Sequence, residues 1–295
     1  MLTITQEKLS EISAKARAYA DVFQLPLQNR VWRGQTGDFT GSGVGSSLDF
    51  QDHRSYMPGD DPRHINWQAY ARTGSYSMKL YREEVRPMID LVFDVSDSMW
   101  FQPEKQTRAL ELFYFVFYSA IRSGASISCS IVRGDSFERL SDDAVHGHAW
   151  TRRVEIMPET PAAASPDLRP LPFRAQSMRV FISDLLFTES PDRCLRALTR
   201  NKGRGLVLAP FVKAEANPDW DGNYEFVEAE SRLKHPHRVE RGLLQKYLNA
   251  YKRHFEIWKT LCRKYDIAVA RVPGEFNFQL AMQAEAIPNS VIEIL

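Results

Sequence analysis

The stretch MIDLVFDVSDSM, residues 88–99, decides the fold of this chain. Its first part, MIDLVFDV (88–95), is a largely apolar run that ends in a polar turn. That pattern is typical of a strand buried on both faces of a parallel sheet. A long helix is predicted after the turn, over 104–122, because its apolar residues recur at helical spacing. A buried strand, a turn and a helix in this order indicate an α/β sheet.

The segments that follow repeat this alternation of strand and helix. Strands are predicted at 125–133, 178–186, 205–212 and 267–271, a hairpin return at 134–140, helices at 190–200, 240–265 and 275–285, and a strand-like end at 290–295. Residues 157–177 carry five prolines and are predicted to be a connector. The order predicts a doubly wound, mostly parallel, Rossmann-like α/β sheet in a domain over 87–295.

Residues 1–86 are predicted to form a smaller N-terminal region of helix and strand. A helix over 3–24 has Thr5 as its candidate cap. The stretch 30–60 is rich in Gly, Ser and Asp, which predicts a loop with short strands at most. A short helix at 62–73 and a strand at 75–86 lead into the sheet domain.

Composition narrows the class of protein. The 295 residues include 38 Lys and Arg against 37 Asp and Glu, a net charge of +1, which argues against a nucleic-acid-coating surface. The three cysteines are widely spaced and form no zinc or disulfide pattern, which favours a reduced, cytoplasmic setting. The N-terminus lacks the apolar segment of a signal peptide, and the most apolar helical stretch (112–121) is about half a membrane span. We therefore expect a soluble cytoplasmic protein with no membrane insertion.

Polar side chains follow two of the predicted strands. Asp94, Ser96 and Ser98 come after the first buried strand, and Ser183 with Asp184 ends the strand MRVFISD. Ligands of open α/β sheets bind at the carboxyl ends of the strands, where these residues are expected to converge. Carboxylate and hydroxyl oxygens are hard donors that suit Mg²⁺. The alternative to a metal site is a turn with a helix cap, for which Ser and Asp are equally suited.

The segment DVSDS (94–98) resembles the metal-ion-dependent adhesion site (MIDAS) of von Willebrand factor A (vWA) domains. That resemblance implies that Ser96 and Ser98 bind Mg²⁺ or Mn²⁺ directly, and that Asp94 and Asp184 act mainly through water. It also implies a threonine ligand from another loop, for which Thr160 is the candidate in the connector and Thr151 a poorer one.

The segment from Gly41 to Glu84 closely resembles the signature of the DUF58 family. One departure is Asn66, where the family usually has Asp. The resemblance covers about 34–200 and implies a vWA-like domain that works with a MoxR-type AAA+ ATPase or its client in chaperoning or maturation. The matching residues are Asp49, Phe50, Arg54, Tyr56, Gly59, Asp60, Arg63, Ile65, Trp67, Ala71 and Arg72.

An ion-pair network of Arg54, Asp60, Arg63 and Arg72 is expected to join the two regions, because Arg pairs well with carboxylates. The favoured function is a metal-dependent protein-interaction module rather than an enzyme, and no catalytic residue is assigned. One alternative is a metal-dependent phosphoester hydrolase that uses the same cation. A haloacid-dehalogenase-type phosphatase is disfavoured because position 96 is Ser and not the general-acid Asp.

A second alternative is a metal-independent scaffold that docks through the basic helix at 240–265. The segment 232–264 holds ten Lys and Arg against two Asp and Glu. Its aromatic residues Tyr247, Tyr251, Phe255 and Trp258 recur at helical spacing, which predicts a core-facing stripe rather than a platform for bases. Nucleic acid is therefore not the expected partner.

Overall fold

A computed structural model describes residues 4–27, 35–44, 50–158, 165–228 and 233–295. The helices are α1 (Gln6–Tyr19), α2 (Trp67–Thr73), α3 (Pro103–Arg122), α4 (Asp142–His146), α5 (Trp150–Ile156), α6 (Asp192–Thr199), α7 (Lys213–Ala216), α8 (Arg241–Lys264) and α9 (Phe278–Ala284). The strands are β1 (Phe23–Gln24), β2 (Gln35–Val44), β3 (Phe50–Ser55), β4 (Ser77–Arg86), β5 (Met88–Asp94), β6 (Ser126–Arg133), β7 (Ser136–Leu140), β8 (Met178–Ile182), β9 (Arg204–Phe211), β10 (Gly222–Val227), β11 (Lys234–Val239), β12 (Ala268–Pro273) and β13 (Glu293–Ile294).

The central sheet has six strands in the order β12-β9-β8-β5-β6-β7. Five of them run parallel, and β7 turns back antiparallel to β6 at one edge. Strand β5 lies in the interior of the sheet with β6 and β7 on one side and β8, β9 and β12 on the other. The prediction of an α/β class with a mostly parallel sheet is therefore confirmed.

Helices cover both faces of this sheet. Val92 of β5 belongs to a buried cluster with Leu195 of α6 and Trp258 of α8. The next residue, Phe93, stacks on Phe113 of α3 with ring centroids 4.8 Å apart. Successive side chains of a strand point to opposite faces, so α3 lies on one face and α6 with α8 on the other. Each fully buried large apolar side chain contributes about 1.5–3 kcal/mol to folding.

Helix α1 packs on α3 rather than within the predicted N-terminal region. Leu9, Ile12 and Ala16 are buried at helical spacing, and Ser13 shares a 2.8 Å hydrogen bond with the Tyr118 hydroxyl of α3. Thr5 caps α1 as predicted, accepting from Lys8 N. The chain divides into one compact unit that contains α1 and Met88–Leu295 and a second unit of Leu27–Pro87.

The second unit contains a three-stranded antiparallel sheet in the order β2-β4-β3, together with α2. The expectation of a loop over 30–60 is wrong in part, because β2 and β3 span ten and six residues of it. Backbone pairing with β4 forms these strands despite their polar sequence, because strand formation depends on the cross-strand context more than on intrinsic propensity.

Three other details differ from the sequence predictions. The helix expected at 62–73 is a 3-10 turn at Pro62–His64 followed by α2. The strand-like C-terminus forms only β13, which pairs with β1 outside the central sheet. The hairpin of β10 and β11 was not predicted, because it is mostly exposed and has Pro236 within a strand.

Candidate functional site

The sequence-predicted polar residues lie at the carboxyl ends of two adjacent parallel strands. Asp94 is the last residue of β5, and Ser183 with Asp184 follows β8 directly. The chain leaves β5 toward β6 on one side and returns to β8 on the other, so the direction of strand order reverses between these two strands. Ligands of open α/β sheets bind at such a reversal.

Asp94 is buried and held by hydrogen bonds on both carboxylate oxygens. Ser183 Oγ donates to Oδ2 at 2.7 Å, and the backbone N–H of Ser96 donates to Oδ1 at 3.0 Å. Burial raises the pKa of Asp94 to about 6, with the negative charge of Asp184 adding to the rise and the hydrogen bonds opposing it. The ionised form of Asp94 is therefore disfavoured, chiefly by burial and also by the charge of Asp184, and a nearby cation would favour it.

Ser96 and Ser98 present a pair of hydroxyl groups beside Asp94. Their Oγ atoms lie 3.1 Å apart and share a hydrogen bond, and both residues are only half-buried. Mg²⁺ binds oxygen at about 2.0–2.1 Å in octahedral geometry, so neighbouring ligands on one ion lie about 3 Å apart. The two hydroxyl oxygens therefore have the separation that one small divalent cation requires.

The turn that carries Asp184 is fixed by unusual contacts. The Asp184 N–H donates to Met99 Sδ at 3.2 Å, which joins this turn to the loop after β5. Leu186 N donates to Asp184 Oδ1 at 3.1 Å. Leu185 has a φ of 62°, a left-handed conformation that is costly for a bulky side chain. Such strain persists where the surroundings over-determine the backbone, and it clusters at functional sites.

His254 of α8 supports the same turn. Its Nε2 lies 2.8 Å from the carbonyl oxygen of Leu185. A carbonyl oxygen can only accept, so Nε2 carries the hydrogen and donates it.

A buried lysine, Lys105 of α3, contacts the site. Its Nζ donates to Asp184 Oδ2 at 2.9 Å and to Glu215 Oε1 at 2.5 Å, and the side chain is 1% exposed. Burial opposes the charged ammonium, but the carboxylates of Asp184 and Glu215 outweigh it and raise the pKa of Lys105. Burial also raises the pKa of Glu215, although Lys105 opposes that rise.

Lys105, Glu215 and His254 were not among the residues predicted for the site. A signal for Lys105 was present, because it lies at helical spacing from Ala109, Leu112 and Val116 on the apolar stripe of α3. A charged residue on such a stripe is buried and needs a partner. Glu215 and His254 come from elements whose position beside β8 no local pattern reveals.

The threonine ligand has no support from the structure. Thr160 lies outside the described residues. Thr151 is buried at the start of α5 and donates from Oγ1 to the carbonyl oxygen of His148 at 3.0 Å. Within the residues that the structure describes, no three His, Cys, Asp or Glu side chains are grouped so that they could hold a metal ion. A cation here would depend on serine hydroxyls as well as carboxylates.

The charged signature residues form two local ion pairs in the Leu27–Pro87 unit. Arg54 donates to both carboxylate oxygens of Asp60, at 2.8 and 2.6 Å, and the pairing lowers the pKa of Asp60. Arg63 pairs with Asp61 at 2.6 Å. Both pairs join residues close in sequence, six and two positions apart, and neither includes Arg72, so they are not the single network predicted from the sequence. Arg72 is exposed on α2.

The aromatic signature residues form an exposed cluster in the same unit. Tyr56 and Trp67 each contact Tyr76, with ring centroids 6.0 and 6.4 Å apart. Tyr70 stacks on Tyr76 at 4.4 Å. Trp67 is 57% exposed, so its role is not that of a core residue.

The chain thus has a mixed α/β fold with a polar site at the carboxyl edge of its sheet. The sequence model of one family, described as "Protein of unknown function DUF58", matches residues 52–256. The protein belongs to this DUF58 family, as its signature predicted.

Individual relatives have low sequence identity to this chain. Uncharacterized proteins of Mycobacterium bovis and Mycobacterium tuberculosis are 27% identical over 254 residues, which cover 81% of this chain and 79% of each relative. The crystal structure of the conserved hypothetical protein BatB from Bacteroides thetaiotaomicron is 13% identical, with a TM-score of 0.34 and coverage of 69% of this chain and 98% of that chain. That score is too low to assign a fold.

Helices that could cross a bilayer are absent from the described part of the chain, since none combines sufficient length with sufficient apolar character.

Proposed function

We propose that the protein is a metal-dependent interaction module with a MIDAS-type site at Asp94, Ser96, Ser98 and Asp184. The observation that carries the proposal is the pair of serine hydroxyls 3.1 Å apart beside the buried carboxylate of Asp94. Mg²⁺ or Mn²⁺ is the proposed cofactor, because all the donors are hard oxygens.

The donor set fits such an ion. Ser96 and Ser98 are half-buried and would hold it directly, whereas Asp94 and Asp184 are nearly fully buried and already accept hydrogen bonds from neighbouring groups. The two carboxylates would act behind the hydroxyls, through water. When bound, the ion supplies positive charge and an open coordination position for an oxygen ligand.

The strand order supports a vWA-like, doubly wound arrangement. Numbered along the chain within the sheet, the strands follow the order 6-5-4-1-2-3, which is the Rossmann-type order read from the opposite edge. The antiparallel β7 at the edge and helices on both faces agree with this arrangement. The site then lies at the switch point, where a partner has access to it.

The proposed ligand for the open position is a Glu or Asp side chain of a partner protein. A carboxylate completes the coordination of a hard cation and makes binding conditional on the metal. The proposed partner is a MoxR-type AAA+ ATPase or its client, as the resemblance of the signature segment implies. The proposed role is that of a chaperone or maturation component.

The test is binding between this protein and a purified MoxR-type ATPase, measured by biolayer interferometry in Mg²⁺ and in EDTA. We expect a complex in Mg²⁺ that is lost in EDTA and in the Asp94→Ala, Ser98→Ala double variant. Asp192→Ala is the control, because Asp192 is a half-buried carboxylate at the start of α6 and is not one of the proposed metal ligands. A complex of full strength with the double variant would refute the proposal.

A further inference from the structure

Lys105 is a positive charge built into the proposed metal site. Its Nζ lies between Asp184 Oδ2 and Glu215 Oε1, and the side chain is 1% exposed. A buried ammonium is costly unless it is paired, so these contacts account for its presence in an otherwise apolar helix face. Pairing alone does not explain why the ammonium of Lys105 lies beside Asp184, where it would repel a divalent cation.

The second partner of Lys105 is itself held firmly. Glu215 accepts from Val212 N on Oε2 at 3.3 Å, and its carbonyl oxygen accepts from the Tyr247 hydroxyl of α8 at 2.8 Å. Glu215 therefore gives the ammonium a second, well-held carboxylate partner besides Asp184.

The start of α3 is also fixed, which keeps Lys105 in the site. Arg108 donates from Nε to the carbonyl oxygen of Pro273 at 3.0 Å and from a terminal nitrogen to that of Phe276 at 2.5 Å. A Cβ on Gly274 would lie 2.9 Å from the backbone of Glu104, so the end of β12 packs directly on the first turn of α3. Lys105 is thus anchored by the backbone that carries it.

The charges around the site define the effect of Lys105. Asp94, Asp184 and Glu215 contribute negative charge, and Lys105 offsets one of them. Arg133 lies 3.9 Å from Asp97 in the loop after β5, so this second pair adds little net charge. Removing Lys105 would leave the carboxylates uncompensated until a cation binds.

We propose that Lys105 supplies the positive charge of this site when no divalent cation is bound, and so holds Asp184 and Glu215 in place. Its ammonium also repels Mg²⁺ or Mn²⁺, which lowers the affinity of the site so that the metal binds reversibly. The inference rests on the proposed function, because it concerns the same cation.

The experiment is a calorimetric titration of Mn²⁺ and of Mg²⁺ into wild type, Lys105→Met and Glu215→Gln. Adjacent unit charges change the binding of a proton by about ten- to a thousandfold, so Lys105→Met should bind the metal at least about tenfold more tightly. Glu215→Gln removes a negative charge and should bind it more weakly. Lys259→Met is the matched control, since Lys259 of α8 pairs with Glu285 and its loss should leave the affinity unchanged.

A second readout is the unfolding temperature, which can be compared without measuring an affinity. Without metal, Lys105→Met should unfold at a lower temperature than wild type, and saturating Mn²⁺ should raise its unfolding temperature by more than it raises that of wild type. The double variant Lys105→Met, Glu215→Gln covers the case in which the single variant does not fold. It should still bind more tightly than wild type, because Lys105 and not Glu215 contacts Asp184.

The outcomes separate the two proposals. Measurable wild-type binding with equal or weaker binding by the Lys105 variants would overturn the role of Lys105 and leave the metal site standing. Absence of binding in every variant would overturn both.

Discussion

Ser183 Oγ donates a 2.7 Å hydrogen bond to Asp94 Oδ2 and so joins the carboxyl ends of β5 and β8. The same hydroxyl accepts from Leu185 N at 3.1 Å. Both residues are buried, so this bond lies beneath the half-buried pair of Ser96 and Ser98. The carboxylate of Asp94 is therefore buried and hydrogen-bonded, and the two serine hydroxyls are the more accessible part of the site.

Ser183→Ala tests the importance of that bond. The variant leaves Asp94 Oδ2 without this donor in a buried position, which should lower the free energy of unfolding by about 1–3 kcal/mol. Urea denaturation measures the change. Ser190→Ala is the control, because Ser190 is exposed in the loop before α6 and its loss should change stability by less than about 0.5 kcal/mol. Equal effects of the two substitutions would contradict a special role for Ser183.

The turn after β8 should loosen when His254 is removed. His254→Ala takes away the donor to the carbonyl oxygen of Leu185, whose left-handed backbone depends on its surroundings. Hydrogen exchange at the amides of Leu185 and Leu186 should become faster. His235→Ala, at an exposed position of β11, should leave that exchange unchanged. Unchanged exchange in the His254 variant would show that the turn does not need this contact.

Asp90 offers a matched comparison with Asp94 on the same strand. It lies about 13 Å away, toward the start of β5. It accepts from Arg174 Nε at 2.7 Å and from Ser177 Oγ at 2.7 Å. Asp90→Ala breaks a largely buried ion pair and should lower the free energy of unfolding by about 3 kcal/mol. Calorimetry should nevertheless show unchanged Mg²⁺ affinity, and a lost affinity would mean that the metal site is not confined to the carboxyl edge.

The basic surface of α8 is the main competitor as a docking site. Lys252 and Arg263 are exposed there. Under the metal-dependent account, Lys252→Glu with Arg263→Glu should leave the Mg²⁺-dependent complex with the ATPase within about twofold of wild type, because exposed charges beyond the interface are screened by salt. Interferometry at 0.15 M ionic strength measures this. Loss of the complex, with no effect of EDTA on wild type, would favour the scaffold alternative.

The strands of the central sheet were predictable because strands buried on both faces have continuous apolar sequences. Strand β5 and strand β8 are buried along almost their whole length, and both were found within a few residues of their ends. The short helices α4 and α5 were missed, since segments of five and seven residues carry too few turns for a periodic signal.

The site was predictable only where it depends on residues next to a strand end. Asp94 and Asp184 could be expected to converge because parallel strands end at the same edge. Lys105 reaches that edge from a helix, and Glu215 follows β9, so their meeting depends on packing between distant segments. The polar strands of the Leu27–Pro87 unit were underestimated because pairing across β4, rather than local propensity, forms them.

The most direct test of the central claim is a calorimetric titration of Mg²⁺ into wild type and Ser98→Ala, with both proteins shown to be folded by circular dichroism. Ser136→Ala is the control, because Ser136 is a half-buried serine at the start of β7. The account predicts one bound ion in wild type and in the control, and loss of binding in Ser98→Ala. Equal binding by Ser98→Ala, or no binding by wild type, would contradict it.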